Sequence, residues 1–430
     1  MPTDVLAELE NRELLAQCTA DQALREHFAS ATRTVYAGFD PTADSLHIGS
    51  LVPLLALRRA QLAGHRPLVL VGGATGLIGD PSFKAEERKL NSVDTVAQWV
   101  ESLKRQTSRF VDFDASDNPA IIVNNLDWTA DVTVLDFLRD VGKHFSINSM
   151  INKESVRQRI DREGEGISFT EFSYMVLQSF DFAQLYSEYD CTVQIGGSDQ
   201  WGNITGGIDL VRRMHQGQAY GVTLPLVTKS DGSKFGKTET GTVWLDAAKT
   251  SPYAFYQFWM NTADADVYRF LRYFTFLPVQ GIADIERDDA QAGGRRQAQP
   301  VLAREVTELV HGAAGYAGAR RISEALFSSD VSVLTESDFE QLAQDGLPCT
   351  KISESGKPLL ELLVDTGLAL TPRGEVTVGQ ARKFIQSNAV AVNGQKIDDI
   401  DTVLDRSSAN FGRFHLLKRG KKHFHLLCWV

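Results

Sequence analysis

Apolar positions recur along this chain at two periods, and the alternation between them sets out the architecture. Val35 to Phe39 alternates as a short strand. Asp40-Pro41-Thr42 breaks it, Pro41 removing a backbone donor and fixing the exit. His47 then opens a run at helical spacing (Ile48, Leu51, Val52, Leu55) that Gly64 closes, and Pro53 inside that run predicts a kink. Pro67 to Val71 and Ala120 to Val123 are continuous apolar runs of the kind buried in parallel sheets, and Cys191 to Ile195 is a further strand. Residues 4 to 30 read as an amphipathic helical lead-in carrying Val5, Leu6, Leu9, Leu14 and Leu15. Strands alternating with helices through residue 215 predict an α/β fold, a Rossmann-like parallel sheet with its crevice at the C-terminal ends of the strands.

The pattern changes after residue 225. Residues 250 to 325 are helix-forming and aromatic-rich (Tyr253, Phe255, Tyr256, Phe258, Trp259, Phe270, Tyr273) and predict a helical domain. Ile322 to Thr350 has six acids, no Lys or Arg, and Gly346 and Pro348 near its end, which reads as a linker over 326–350. Beyond it come two short helical patterns and a hairpin turn at Asn393-Gly394, a small α+β domain over 351–430.

At 430 residues the chain is too long for one core. Hydrophobic residues at 43% and charged ones at 23% describe an ordinary globular protein. No apolar run approaches a membrane span, and the acidic, helical start is unlike a signal peptide. Cys18, Cys191, Cys349 and Cys428 are far apart and form no CxxC pair, so neither a zinc site nor a disulfide framework is expected, and a reducing compartment fits. The net charge of −11 is uneven: Lys351 to Val430 carries +4, leaving −15 on the rest. Ser407 to Val430 contains Arg413, Lys418, Arg419, Lys421 and Lys422 and no acid, either a solvated tail or a local RNA-contacting face on an acidic protein.

Five clusters carry candidate chemistry. A strand, a tight loop and a first helical turn bearing His47-Ile48-Gly49 make a phosphate-facing construction, since Gly49 admits a ligand close to the backbone. Gly72-Gly-Ala-Thr-Gly-Leu-Ile-Gly-Asp80 follows the second strand without matching GxGxxG spacing, so its glycines serve either a nucleotide or a tight strand-to-helix turn; Lys84 and Arg88 lie just beyond. Tyr174 and Gln178 share a helix face that Asp181 continues, a stripe suited to a polar pocket wall where a solvent face would carry Lys or Glu. Gln194 to Trp201 sets Gly196, Asp199 and Gln200 at a strand end, acceptors that ribose hydroxyls or an ammonium group require. Finally Thr228 to Thr242 is polar apart from Phe235, and a mobile loop is expected; a Walker loop is excluded because no glycine precedes its lysines at the required spacing.

Tyr36-Ala-Gly-Phe-Asp-Pro-Thr with His47-Ile-Gly-Ser50 resembles the first signature of class I aminoacyl-tRNA synthetases in its tyrosyl-specific form, and Lys234-Phe-Gly-Lys-Thr238 resembles the second. Where the family has a second His this chain has Ser50, whose hydroxyl can still donate a hydrogen bond. Ser355 to Lys396 resembles a small RNA-binding motif shared with a ribosomal protein. The resemblance spans essentially the whole chain. It implies a catalytic domain over 1–225, the KFGKT loop with a helical domain over 226–325, and an RNA-binding domain over 351–430. It implies tyrosine activation by ATP with Mg2+, transfer to tRNA, and a cytoplasmic homodimer. Asp40, His47, Gly49, Gly196, Asp199 and Lys237 would then hold the nucleotide. Thr42, His47, Lys84, Arg88, Lys234, Lys237 and Thr238 would stabilise the transition state. Tyr36, Asp80, Tyr174, Gln178, Asp181 and Gln200 would hold tyrosine, with Tyr36 and Asp181 at the phenol. Arg382, Lys383 and Lys396 would face RNA phosphates. A non-catalytic RNA-binding paralogue would be expected to have lost His47, Lys234 or Lys237, and none is lost; a tryptophanyl enzyme would not need two hydrogen-bonding groups at the depth of Tyr36 and Asp181.

Overall fold

The computed structural model describes residues 4–80, 91–153, 156–157, 160, 167–232, 235–238, 241–291, 294, 296–354, 356–371 and 373–430; the side chains of Lys237 and Thr238 are outside this description. The chain divides into two compact units, residues 1–246 with 263–298, and residues 247–262 with 299–430.

The first unit is built on a six-stranded sheet. Its strands are β1 (Gln17–Cys18), β2 (Thr34–Phe39), β3 (Arg66–Val71), β4 (Ile121–Asn124), β5 (Cys191–Gly197) and β6 (Tyr220–Leu224), in the order β1-β6-β5-β2-β3-β4. All neighbours are parallel except β1, which pairs antiparallel with β6. The lead-in is therefore two helices, Val5–Asn11 and Asp21–Ser30, separated by an edge strand that a helical reading of residues 4 to 30 passes over. From β2 the chain moves one way to β3 and β4, then returns to the other side of β2 for β5. That reversal opens a crevice at the C-terminal ends of β2 and β5.

Behind β2 lies the helix Leu51–Leu62, apolar on nearly every side. Leu51, Leu54, Leu55 and Leu57 are fully buried, each contributing about 1.5–3 kcal/mol. No kink forms at Pro53. A 3₁₀ turn occupies Ile48–Ser50 and the α-helix starts at Leu51, so Pro53 stands in the first turn, where its missing N–H has no helical partner to lose. Gly64, at φ +93°, follows the helix C-cap as expected. Buried Arg59 donates to the carbonyls of Tyr273 at 3.1 Å and Thr275 at 2.9 Å, and Arg12 to that of Thr275 at 3.2 Å. Together they clasp the end of the helix Asp264–Phe274. A short hairpin, β7 (Lys237–Thr238) and β8 (Gly241–Thr242), completes this unit.

In the second unit, helix Pro252–Met260 and the helical residues 299–328, interrupted at Gly312 (φ +75°), lead to a folded stretch at 331–346. There Thr335 and Asp338 form a capping box, Arg321 grips Asp338 at 2.7 Å, and Phe339 and Leu342 are buried. The terminal domain has strands β9 (Cys349–Ile352), β10 (Lys357–Pro358), β11 (Val390–Val392), β12 (Gln395–Ile397), β13 (Val403–Leu404), β14 (Phe414–Arg419) and β15 (His423–Trp429). Five of them make a sheet in the order β12-β11-β14-β15-β9. Helices Leu359–Asp365 and Val378–Gln386 help form its core. The β11–β12 turn is the expected two-residue hairpin: Asn393 and Gly394 both have positive φ, and Val392 faces Gln395. The cationic terminus is no solvated tail. Residues 414–429 form two sheet strands, Arg413 pairs with Glu336 and Glu340, and Arg419 lies over the Phe384 ring.

Candidate active site

At the β2/β5 crevice lies a cavity of about 670 Å³ lined by Tyr36, Asp40, Thr42, His47, Gly49, Asp80, Tyr174, Gln178, Asp181, Gly196, Asp199 and Gln200. These sequence-predicted residues come from four separated stretches, and the fold brings all of them to one chamber. The stripe on the helix Phe169–Tyr189 does wall a pocket.

Its deep side is a continuous hydrogen-bonded chain. Tyr174 Oη donates to Asp40 Oδ2 at 2.7 Å, and Thr75 Oγ1 to Asp40 Oδ1 at 2.6 Å. Asn125 Nδ2 donates to Thr75 Oγ1 at 3.0 Å and to Asp181 Oδ2 at 2.9 Å, and Trp128 Nε1 donates to Asp181 Oδ1 at 3.0 Å. Asn125 and Trp128 were not singled out by the sequence, although both stand just past the end of a predicted strand. Burial pushes the Asp181 carboxyl up to about 7, against the two hydrogen bonds that favour its ionised form. Burial also drives the Tyr36 phenol well up, and the Asp181 charge acts in the same direction. Tyr36 packs edge-on to Phe182, fully buried, and its hydroxyl has no partner among the described residues; neither have the buried oxygens Gln178 Oε1 and Gln194 Oε1. Gln194 also lines the cavity and is a member the sequence reading left without a role. Buried polar atoms without partners are costly, and a polar ligand filling the chamber would satisfy them.

The glycines of the loop after β3 have a structural reason, while Gly72 and Thr75 also line the cavity. A Cβ on Gly72 would stand 2.1 Å from Asp40 Oδ1, one on Gly73 would stand 2.2 Å from Asn124 Oδ1, and one on Gly76 would meet Pro41 at 2.7 Å. The glycines let the Asp40-Pro41 segment and the Asn124-Asn125 pair dock onto the backbone. Asn125 Oδ1 accepts from the Ala74 N–H at 2.7 Å and Asn124 Oδ1 from that of Gly73 at 3.1 Å.

Toward the mouth, His47 caps the 3₁₀ turn, its Nδ1 accepting from the Gly49 N–H at 3.0 Å. The N–H groups of Ile48 and Ser50 are also taken, by Val243 O and His47 O. This helix start therefore offers a ligand less free backbone than the sequence suggests. With Nδ1 accepting, the ring proton sits on Nε2, and partial burial holds the group below its ordinary value, so His47 is a neutral donor. Gln200 Nε2 donates to Asp80 Oδ2 at 2.8 Å while its Oε1 accepts from Asn203 at 3.1 Å, so Gln200 fixes Asp80. Burial raises the Asp199 carboxyl.

The second signature meets the first through backbone and packing. The Val243 N–H donates to Gly236 O at 2.9 Å, and a Cβ on Gly236 would stand 2.6 Å from Ile48. Phe235 stacks on Phe274 at 5.4 Å and meets Phe270 edge-on at 5.2 Å, and Ser230 is bonded to Asp266. The segment expected to be mobile is thus anchored on both sides of Ser233 and Lys234. Lys84, Arg88 and Lys234 lie outside the described residues, as do the side chains of Lys237 and Thr238. Arg382, Lys383 and Lys396 are exposed in the second unit, the first two on the helix Val378–Gln386 and the third on β12.

Comparison with known proteins places this chamber in a family. Residues 30–328 match the family described as tRNA synthetases class I (W and Y), and residues 338–427 match the tyrosine--tRNA ligase SYY-like C-terminal domain. The chain belongs to the class I tRNA synthetases, with a Rossmann-like parallel sheet followed by helical segments and an α+β terminal domain. Its relatives include the tyrosine--tRNA ligases of Aliivibrio fischeri (strain MJ11), 61% identical over 426 residues, and Escherichia coli O8 (strain IAI1), 57% identical over 427, each covering 99% of both chains. Among solved structures, a C-terminally truncated mitochondrial tyrosyl-tRNA synthetase of Aspergillus nidulans superposes with a TM-score of 0.69 at 30% identity, covering 76% of this chain and 94% of that one. A tyrosyl-tRNA synthetase of Archaeoglobus fulgidus, complexed with L-tyrosine, shares the fold at 14% identity and a TM-score of 0.55, over 73% of this chain and 99% of its own.

Proposed function

We infer that this chain activates L-tyrosine with ATP to tyrosyl-adenylate and transfers the tyrosyl group to the 3′ end of a tyrosine tRNA. The observation that carries the amino-acid choice is the deep end of the chamber, where the unpartnered Tyr36 hydroxyl and the buried Asp181 carboxyl together suit a phenol. The ammonium group of tyrosine would sit against Asp80, Gln178 and Tyr174. Tyr174 donates its proton to Asp40 and keeps its oxygen lone pairs for that group.

In the first step a tyrosine carboxylate oxygen bonds to the α-phosphorus of ATP and the bond to pyrophosphate breaks. Negative charge grows on the departing oxygens, where His47 offers a neutral N–H. Thr42, Lys84, Arg88, Lys234, Lys237 and Thr238 are proposed to hold the same group, so positioning and charge stabilisation carry the rate. Asp40, Gly49, Gly196 and Asp199 hold the nucleotide. In the second step the terminal ribose hydroxyl bonds to the acyl carbon and AMP leaves. Among the described residues there is no cluster of three or more His, Cys, Asp or Glu able to hold a metal ion. Mg2+ is proposed to arrive on the ATP phosphates with most of its ligands water and phosphate.

RNA contact is assigned to Arg382, Lys383 and Lys396. A homodimer is supported by large apolar side chains left exposed along 134–169, among them Val134 at 74%, Leu135 at 78% and Phe169 at 77%. No helix among the described residues is long and apolar enough to cross a membrane, and the cytoplasm is the compartment proposed. Pyrophosphate exchange measured with each of the twenty amino acids tests the reading: tyrosine alone should support efficient exchange, and preference for tryptophan or for none would overturn it.

A further inference from the structure

Two of the cysteines that are remote in sequence meet in the fold. Cys349 opens β9 and Cys428 lies near the end of β15, 79 positions away, yet their sulfurs are 2.7 Å apart and both thiols are free. The register explains the meeting. β9 and β15 run parallel with Cys349 opposite Leu426 and Lys351 opposite Cys428, so the two cysteines point to the same face as diagonal neighbours. Cys349 is exposed to solvent and Cys428 partly so.

We propose that Cys349 and Cys428 form an oxidisable pair, a site at which hydrogen peroxide joins the edge strand β9 to β15 through a disulfide. The sulfurs, already closer than van der Waals contact, have only to close to a bond of about 2.05 Å. Cys349 is the attacking group: it is the more exposed of the two sulfurs, and the hydrogen bond it shares with Cys428 and the nearby Lys351 ammonium both lower its pKa, while Cys428 is raised by the same hydrogen bond and by burial. The Cys349 thiolate bonds to one peroxide oxygen, the O–O bond breaks, and hydroxide leaves as water after taking a proton. Cys428 then loses its proton and attacks the sulfenic sulfur, and the S–O bond breaks with loss of a second water. Two thiols have been oxidised by two electrons and one peroxide reduced to two waters. The other two cysteines lack this setting: Cys191 is fully buried with its thiol pushed up, and Cys18 is raised by burial and then by the hydrogen bond it donates to the Asp21 carboxylate.

The test is graded hydrogen peroxide on the full chain, read by intact mass and by peptide mapping without reduction. The expected result is a loss of two hydrogens, a peptide joining Cys349 to Cys428, and full reversal by dithiothreitol. C428S should remove the link and leave Cys349 to be oxidised further to sulfinic acid, while tyrosine-dependent pyrophosphate exchange stays at the wild-type level. A wild-type chain whose Cys349 goes to sulfinic acid without linking, or links to Cys18, Cys191 or another chain, would overturn the proposal. So would a C428S protein in which Cys349 is no more reactive than Cys191.

Discussion

Replacing Asp181 with asparagine separates what this carboxyl costs the fold from what it gives the substrate. Burial holds its pKa at about 7 against an ordinary 3.8, so folding takes up a proton. The stability tied to this group is therefore greatest below the unfolded value and is lost as pH rises from 3.8 through about 7. At 1.36 kcal/mol per pKa unit, full ionisation costs about 4 kcal/mol, of which about 2.6 kcal/mol accrues between about pH 5 and pH 8. The amide does not titrate. It presents one oxygen and one NH2 to two donors, Asn125 Nδ2 and Trp128 Nε1, so one hydrogen bond is lost at about 1–3 kcal/mol, equally at every pH. The difference in unfolding free energy, variant minus wild type, should therefore rise by about 2.6 kcal/mol from about pH 5 to pH 8, whatever its offset. Urea unfolding of both proteins at steps across that range, following the transition of the first unit, measures it. Tyrosine activation by the variant should be severely weakened throughout. A difference that stays flat with pH would mean that Asp181 is ionised in the fold without penalty, and the picture of a desolvated acid waiting for the phenol would fail.

Other substitutions probe the remaining assignments. Tyr36→Phe removes the unpartnered hydroxyl, so tyrosine use should fall modestly and the preference for tyrosine over phenylalanine narrow; an unchanged ratio of activation efficiencies would show that Tyr36 does not touch the phenol. Lys237→Ala should slow adenylate formation at least about 10-fold while tyrosine affinity by equilibrium dialysis changes less than about 2-fold, because its charge is needed only as pyrophosphate leaves. The reverse pattern would remove Lys237 from that role. A chain ending near Asp345 loses β9 to β15 and the Arg413 pairs to Glu336 and Glu340, yet should still form tyrosyl-adenylate and fail to charge tRNA; near-normal charging would displace RNA contact from residues 351–430.

The parts of this molecule that depend on near neighbours were legible in the sequence. The β2 strand, the helix closed by Gly64, the Tyr174-Gln178-Asp181 stripe and the Asn393-Gly394 hairpin all follow from spacings of a few residues. Pro53 misled because spacing shows that a helix exists but not which residue begins it, and a start at Leu51 turns a kink into a tolerated first-turn proline. Asn125 and Trp128 stayed hidden because their partner Asp181 is 56 and 53 positions away, and only the sheet topology brings them together. The glycines at 72, 73 and 76 could not be told from a nucleotide loop until the side chains that pass against them were placed. The cysteines failed for the same reason: a separation of 79 positions says nothing about register.

The backbone bridge between His47 and Trp244, with Ile48 donating to Val243 and Leu245 to Leu46, also sets an order of events for a chain being made. Strands β2 and β3 can pair once about 70 residues have emerged, whereas β2 waits for β5 and β1 waits for β6. The HIGS turn waits longer still, since its lateral partners follow the last strand of the sheet by about 20 residues. A nascent chain could thus complete its sheet before the mouth of the cavity was finished. Chaperones meeting it on the ribosome would see a folded but inactive intermediate, its apolar Ile48 not yet shielded by Gly236. Catalytic competence would arrive as a late and separate step of folding, detectable as a lag between the return of native circular dichroism and the return of pyrophosphate exchange.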